Sequence, residues 1–311
     1  MGQKLNTPSR GVRTLRTVTQ VVAVCIVLGS GAYMGLSAEA RASVFARRGL
    51  SADRPKLSDA QTLFFNARYD AAAALTLELR ASDPEDLAVW ELRTSGLLFQ
   101  LKAALDDQPD KEKAFKQCAG CPDLLTAFLS DTARGVALAR ERLQSTPGDE
   151  TAQFFLGKIN LNYVWLQLGP LGRKTGWDEY WEARRSLDAV LKRNPAHVRA
   201  RVARAWIDYI VDTRMPFGTK WLLGGGNRKR ALLAMQDAAS AEADFFVQAE
   251  ARFALWDLHV RERNLPAAVR TARALAEDFP ENPELAKYLE THDRDTPSVQ
   301  PTRQNVAAHR R

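Results

Sequence analysis

The sequence predicts an all-α fold: an α-solenoid of stacked helix-turn-helix hairpins after an N-terminal hydrophobic helix. Three observations predict it. From Ser58 onward apolar residues recur at helical spacing, and strand alternation is almost missing. Four segments, SDPEDLAVW, STPGDETAQF, RNPAHVRAR and FPENPELAK, place a Pro just after one helix and begin another within a few residues. A Pro at that point ends one helix and permits the next. The stretches YDAAAALTLEL, WEARRSLDAVL and LPAAVRTARAL carry Ala at packing positions. Helical units of this kind bury one face only when stacked on neighbours.

Each element has its own signal. A short helix is expected over 59–66, and after one tight turn YDAAAALTLELR supplies 69–80. A longer helix over 87–105 carries Trp90, Leu97, Leu98 and Leu101. The polar stretch DDQPDKEKAFKQCAG reads as a loop. Helical spacing resumes over 123–144 with Leu124, Leu125, Phe128 and Leu129. Further helices are expected over 151–167, 177–192, 196–212, 228–239, 243–262, 266–278 and 283–291. The pattern is clear in 196–212, where Val198, Val202, Ala205, Trp206, Tyr209 and Ile210 share a face, while Arg199, Arg201, Arg204 and Asp208 fall mostly off it.

The N-terminus reads as an address. Residues 1–17 hold Lys4, Arg10, Arg13 and Arg16 and no acid, and VTQVVAVCIVLGSGAYMGL (18–36) then runs without a charge. A basic head before an apolar run is the pattern of an export signal or a single membrane anchor, with the rest of the chain sent across. At about 1.5 Å per residue the run can just span the hydrocarbon of a bilayer. Ala38-Glu39-Ala40, Ala40-Arg41-Ala42 and Ser30-Gly31-Ala32 offer cleavage spacing, whereas Arg41, Arg47 and Arg48 argue for retention. Both outcomes stay open: an inner-membrane protein with a periplasmic domain, or a periplasmic or secreted one. The expected organisation is a signal peptide or anchor over 1–40, a linker over 41–57, the helical repeat domain over 58–291, and a polar, disordered tail over 292–311.

The net charge is +7, of which the first 40 residues carry +3, leaving +4 for the other 271. That mild excess gives no reason to expect nucleic acid as a partner. Cys118 and Cys121 form CAGC. Outside the cytoplasm two nearby thiols form a disulfide by default, here pinning the start of the helix near Pro122. A redox-active pair and free thiols are the alternatives, although no strand precedes the motif as a thioredoxin-like site requires. A c-type haem would need His where Pro122 stands. Zinc would need a second ligand pair, and His197, His259, His292 and His309 are scattered. No cofactor or metal is expected.

The hairpins resemble tetratricopeptide repeats, which implies a right-handed solenoid. The resemblance rests on TPGDETAQFFLGKINLNY, where Leu156-Gly157 matches the family's Leu-Gly pair in the first helix. LPAAVRTARALAEDFPENP resembles the second helix with its closing Pro. The Pro positions (84, 147, 195 and 280) are unevenly spaced, so the repeats are degenerate. The segment from GKINLNYVWLQLG through WLLGGGNRKRALLAM is also similar to a group of exported bacterial tetratricopeptide-like proteins. The resemblance implies a protein-interaction scaffold whose concave face binds a segment of a partner. Some periplasmic members of the family assist solute transporters, which implies, as the alternative, a small-ligand carrier with a Trp-rich pocket.

The candidate site lies at 157–235. Two Gly-rich loops, LGPLGRKTGW (168–177) and MPFGTKWLLGGGN (215–227), each follow a helix and each hold a Gly, a Lys and a Trp. Loops of successive hairpins project from one edge, so these two should lie side by side. Trp165, Trp177, Trp181, Trp206 and Trp221 all fall in this region, and Trp177 and Trp181 share a helix face with Tyr180 beside them. Trp177, Tyr180, Trp181 and Trp221 are the candidate contacts for a protein partner or small ligand, with core packing as the plain alternative. GTKWLLGGGNRKR has neither P-loop nor dinucleotide-fingerprint spacing. It either turns one helix into the next, with Gly224–Gly226 at positive φ and Asn227 as cap, or it holds an anion with Arg228, Lys229 and Arg230. Glu182 is expected to pair with Arg185 on a solvated face. No nucleophile, base and orienting group come together, so an enzyme is not expected.

Overall fold

Twelve α-helices make up the described part of the chain, residues 56–105, 108–215, 218 and 220–292 of a computed structural model, and no strand occurs among these residues. In order they are α1 (Leu57–Phe65), α2 (Tyr69–Ser82), α3 (Leu87–Leu105), α4 (Lys111–Gln117), α5 (Cys121–Ser145), α6 (Glu150–Leu168), α7 (Trp177–Arg193), α8 (Val198–Arg214), α9 (Arg228–Ser240), α10 (Phe245–Arg261), α11 (Leu265–Asp278) and α12 (Pro283–His292). The expected address segment, most of the linker and the tail after His292 lie outside the described residues. Among the described residues no helix is long and apolar enough to cross a membrane.

The four Pro turns fold alike. The N–H of Asp86, Asp149, His197 and Asn282 each donates to the carbonyl three residues back, on Asp83, Thr146, Asn194 and Phe279. The donor residue's own side chain then caps the next helix. Asp86 accepts from Ala88 N at 2.9 Å, Asp149 from Ala152 N at 2.8 Å, His197 Nδ1 from Ala200 N at 3.2 Å and Asn282 from Leu285 N at 3.0 Å. Each cap satisfies an amide the helix cannot. The junction between α9 and α10 keeps the same spacing, Ala241 to Asp244, without a Pro. One expectation fails here: the polar stretch before Cys118 is not all loop. Asp110 accepts from Lys113 N at 3.0 Å and starts α4, which is too short for periodicity to reveal it.

Consecutive helices pack from α1 to α12, apart from the short α4, which lies against α3 while α5 packs on α3 and α6. Gly157 shows why the Leu-Gly pair matters: a Cβ there would stand 3.0 Å from Leu187 and 3.3 Å from the Ala183 carbonyl, so its absence lets α6 and α7 approach closely. The helices after the turns also touch one another, α3 with α6 and α8 with α10. Between them lies a four-charge cluster. Lys158 Nζ is 2.8 Å from Glu250 and 3.8 Å from Glu91, and Arg199 is 2.5 Å from Glu250 and 2.9 Å from Glu91. These side chains are only 6–19% exposed. Burial opposes the charge on Glu250, but Arg199 and Lys158 outweigh it and hold the carboxyl down at about 2.

The two ends of the helical array meet. The Phe65 ring lies 6.0, 5.4 and 5.4 Å from those of Phe246, Phe253 and Phe279. Asn282 Nδ2 donates to the Phe65 carbonyl at 2.7 Å, and Tyr69 Oη donates to Glu284 at 3.1 Å. On the other side of α1, Phe64 packs edge-on to Phe99 of α3.

Candidate functional site

The two Gly-rich loops come together beside the ends of α6 and α8. Thr175, Gly176 and Trp177 from the first, and Met215 and Leu223 from the second, line one apolar cavity with Val164, Ile207 and Val211 behind them. The cavity measures ≈ 20 Å³, about the space of a single water. The expectation that the loops lie side by side therefore holds at this cavity, which as it stands has no room for an organic ligand.

The second loop is fastened from beneath. Residues Lys220–Leu223 form a 3₁₀ turn. Tyr180 Oη donates to the Leu223 carbonyl at 2.8 Å, and Arg184 donates to the carbonyls of Leu223 and Gly224 at 2.8 and 2.9 Å. Asp212 accepts from Lys220 Nζ at 2.6 Å and from Arg228 N at 2.9 Å, and these hydrogen bonds hold its carboxyl below the usual carboxylate range. Gly224 and Gly225 have φ of 77° and 74°, as the reversal demands. Gly226 has another role. A Cβ on it would stand 2.5 Å from the Asp208 carbonyl and 2.7 Å from Asp212 N, so only Gly lets the loop lie on the α8 backbone. Asn227 caps α9, accepting from Arg230 N at 2.8 Å.

The expected contact residues divide. Trp177 is 44% exposed, Trp221 73% and its neighbour Leu222 54%. Tyr180 is 5% exposed, and its ring and hydroxyl belong to the interior. Trp181 is half-buried against the same core, its ring edge-on to Tyr180 at 5.3 Å. Spacing puts Trp177 and Trp181 on one face, but Trp177, the first residue of α7, stands at the margin of the core that Tyr180 and Trp181 pack against. Arg228 binds Glu262 through Nε at 2.7 Å and through its terminal nitrogen. Glu262 is held by Tyr209 Oη as well, at 2.8 Å, so this arginine ties α9 to the end of α10. Arg230 is 74% exposed, and its nearest carboxylate is Asp208 at 3.7 Å. Glu182 does not pair with Arg185. Arg140 of α5 reaches it with two hydrogen bonds, at 3.1 and 2.7 Å, and Asn160 with a third at 2.7 Å, because that side of α7 faces α5 and α6 rather than water.

Cys118 and Cys121 are bonded to each other at the N-terminus of α5. Cys121 is fully buried, and both pack with Phe128, Leu101 and Leu105. Among the described residues no group of His, Cys, Asp and Glu is arranged to hold a metal. Two features escaped the sequence: the carboxylate of Asp212 that anchors the loop, and the Glu91–Lys158–Glu250–Arg199 cluster. The only signal for the cluster is a charge on the otherwise apolar side of each of four helices. Comparison of the chain with protein-family models, with curated proteins and with solved structures finds no match.

Proposed function

We propose that the chain is a right-handed, tetratricopeptide-like α-solenoid scaffold of the cell envelope, held at the membrane by its N-terminal apolar segment. It acts by binding a protein partner rather than by catalysis. The observation that carries this reading is the outward display of Trp221 and Leu222 on a loop fixed from below by Tyr180, Arg184 and Asp212, with Trp177 exposed at the start of α7. Large apolar side chains on a fixed backbone lose little freedom when a partner covers them, which is what a binding anchor needs. The turn repeated at Pro84, Pro147, Pro195 and Pro280 supports the stacked-hairpin architecture. The four-charge cluster ties α3, α6, α8 and α10 to one another, and the reading places the partner at the loop edge, where the apolar side chains are exposed.

The test is site-specific photo-crosslinking in intact cells. A photoreactive residue in place of Trp221 or Leu222 should give one discrete crosslinked protein. The same residue in place of Leu77, an exposed leucine on α2, should not. Equal, diffuse crosslinking from all three positions would remove the assignment.

A further inference from the structure

A hollow of ≈ 150 Å³ opens between α7, α8 and α9, lined by Leu191, Arg201, Arg204, Asp208, Arg230 and small alanines. Ala205, Ala231 and Ala234 leave the space that larger residues would fill. Its arginines differ from those that knit the helices together. Elsewhere Arg140, Arg184, Arg199 and Arg228 donate hydrogen bonds to carboxylates or carbonyls. Here Arg201 comes no nearer to a carboxylate than 3.6 Å, to Asp237, and Arg230 no nearer than 3.7 Å, to Asp208. Among the described residues neither guanidinium makes a hydrogen bond. Arg204 gives its Nε to Asp188 at 2.7 Å. Its Nη1 lies 2.6 Å from Asp208 Oδ1 in an ion pair along α8. Asp208 is the one carboxylate in the lining; Asp188 and Asp237 pair with these arginines but do not line the hollow.

We propose that this hollow binds a small tetrahedral oxyanion, either inorganic phosphate or the phosphoryl group of a small phosphomonoester. Guanidinium forks match oxyanions in geometry and charge. Three of them approach from two helices, and together they call for more acceptor oxygens than the two of a carboxylate. The free donors of Arg201 and Arg230 are available to such an anion. No residue of the Gly-rich loop lines the hollow, so the anion is held by side chains of α8 and α9 and not by loop amides. It is independent of the scaffold reading.

The experiment is calorimetric titration of inorganic phosphate, phenyl phosphate and succinate into the full chain at low ionic strength. Saturable 1:1 binding of phosphate is expected, weakened at least tenfold by R201A and by R230A. K229A, which alters a residue outside the lining, should leave it unchanged. D208N removes the only anion already in the hollow and should tighten binding at least threefold, an effect that mere damage to the fold would not produce. Tighter binding of phenyl phosphate assigns the site to phosphomonoesters, and equal binding assigns it to the free anion. Phosphate binding that is absent, that survives R201A/R230A in a chain with unchanged circular dichroism, or that succinate matches would overturn the proposal.

Discussion

His197 shows how much one side chain can be asked to do. Its Nδ1 caps α8, its ring lies 4.7 Å from that of Phe154, and Glu150, Arg199 and Glu250 act on it electrostatically. Burial pushes the imidazole below its usual value, with Arg199 adding to the effect and the two carboxylates opposing it. The cap needs the neutral ring, so its contribution is fully present above the unfolded value near 6.5 and is lost as pH falls through the lower folded value. His197→Asn keeps a capping side chain without a titrating group. Urea unfolding at pH 7 and pH 5 should show a loss of about 1 kcal/mol in the parent that the variant lacks. Glu250 makes the stronger claim. Glu250→Gln leaves Arg199 and Lys158 facing Glu91 alone, and the unfolding free energy should fall by about 3 kcal/mol. In the parent the stabilisation from Glu250 is present above the unfolded carboxylate value and fades as pH drops toward about 2. A variant as stable as the parent at pH 7 would mean that the cluster contributes nothing.

At the scale of elements, the helices with long periodic faces were legible, and so were the turns, because Pro and a capping residue sit at fixed spacing. Legibility stopped where structure depends on a distant partner. KEKAFKQ is helical because of one cap, and Glu182 points inward because Arg140 and Asn160 come to meet it. The triple glycine reads as a reversal with positive φ throughout, which holds at Gly224 and Gly225 but not at Gly226. The reason for Gly226, contact with the α8 backbone, lies 14–18 residues back in the chain and leaves no local signal. Gly226→Ala therefore tests the seating of the second loop. Its Cβ cannot be accommodated without lifting the loop from α8, at a cost of about 1–3 kcal/mol. Limited proteolysis should then cut within 215–227 in the variant and leave the parent intact. Equal resistance would show that the loop is not held as described.

Across the whole molecule, the all-helical architecture was evident from sequence, but the meeting of its ends was not. Phe64 and Phe65 read as one more apolar pair, yet they face opposite ways, one toward α3 and the other toward α10 and α11. The surface proposed for a partner is the loop edge carrying Trp177, Trp221 and Leu222, all of them exposed. Native mass spectrometry of the chain and of W177A/W221A, each purified gently from the cells that make it, tests this claim most directly. The parent should retain a discrete second protein that the variant loses, with both chains equally folded by circular dichroism. The same bound species on both, or none on either, would contradict a scaffold working through this edge.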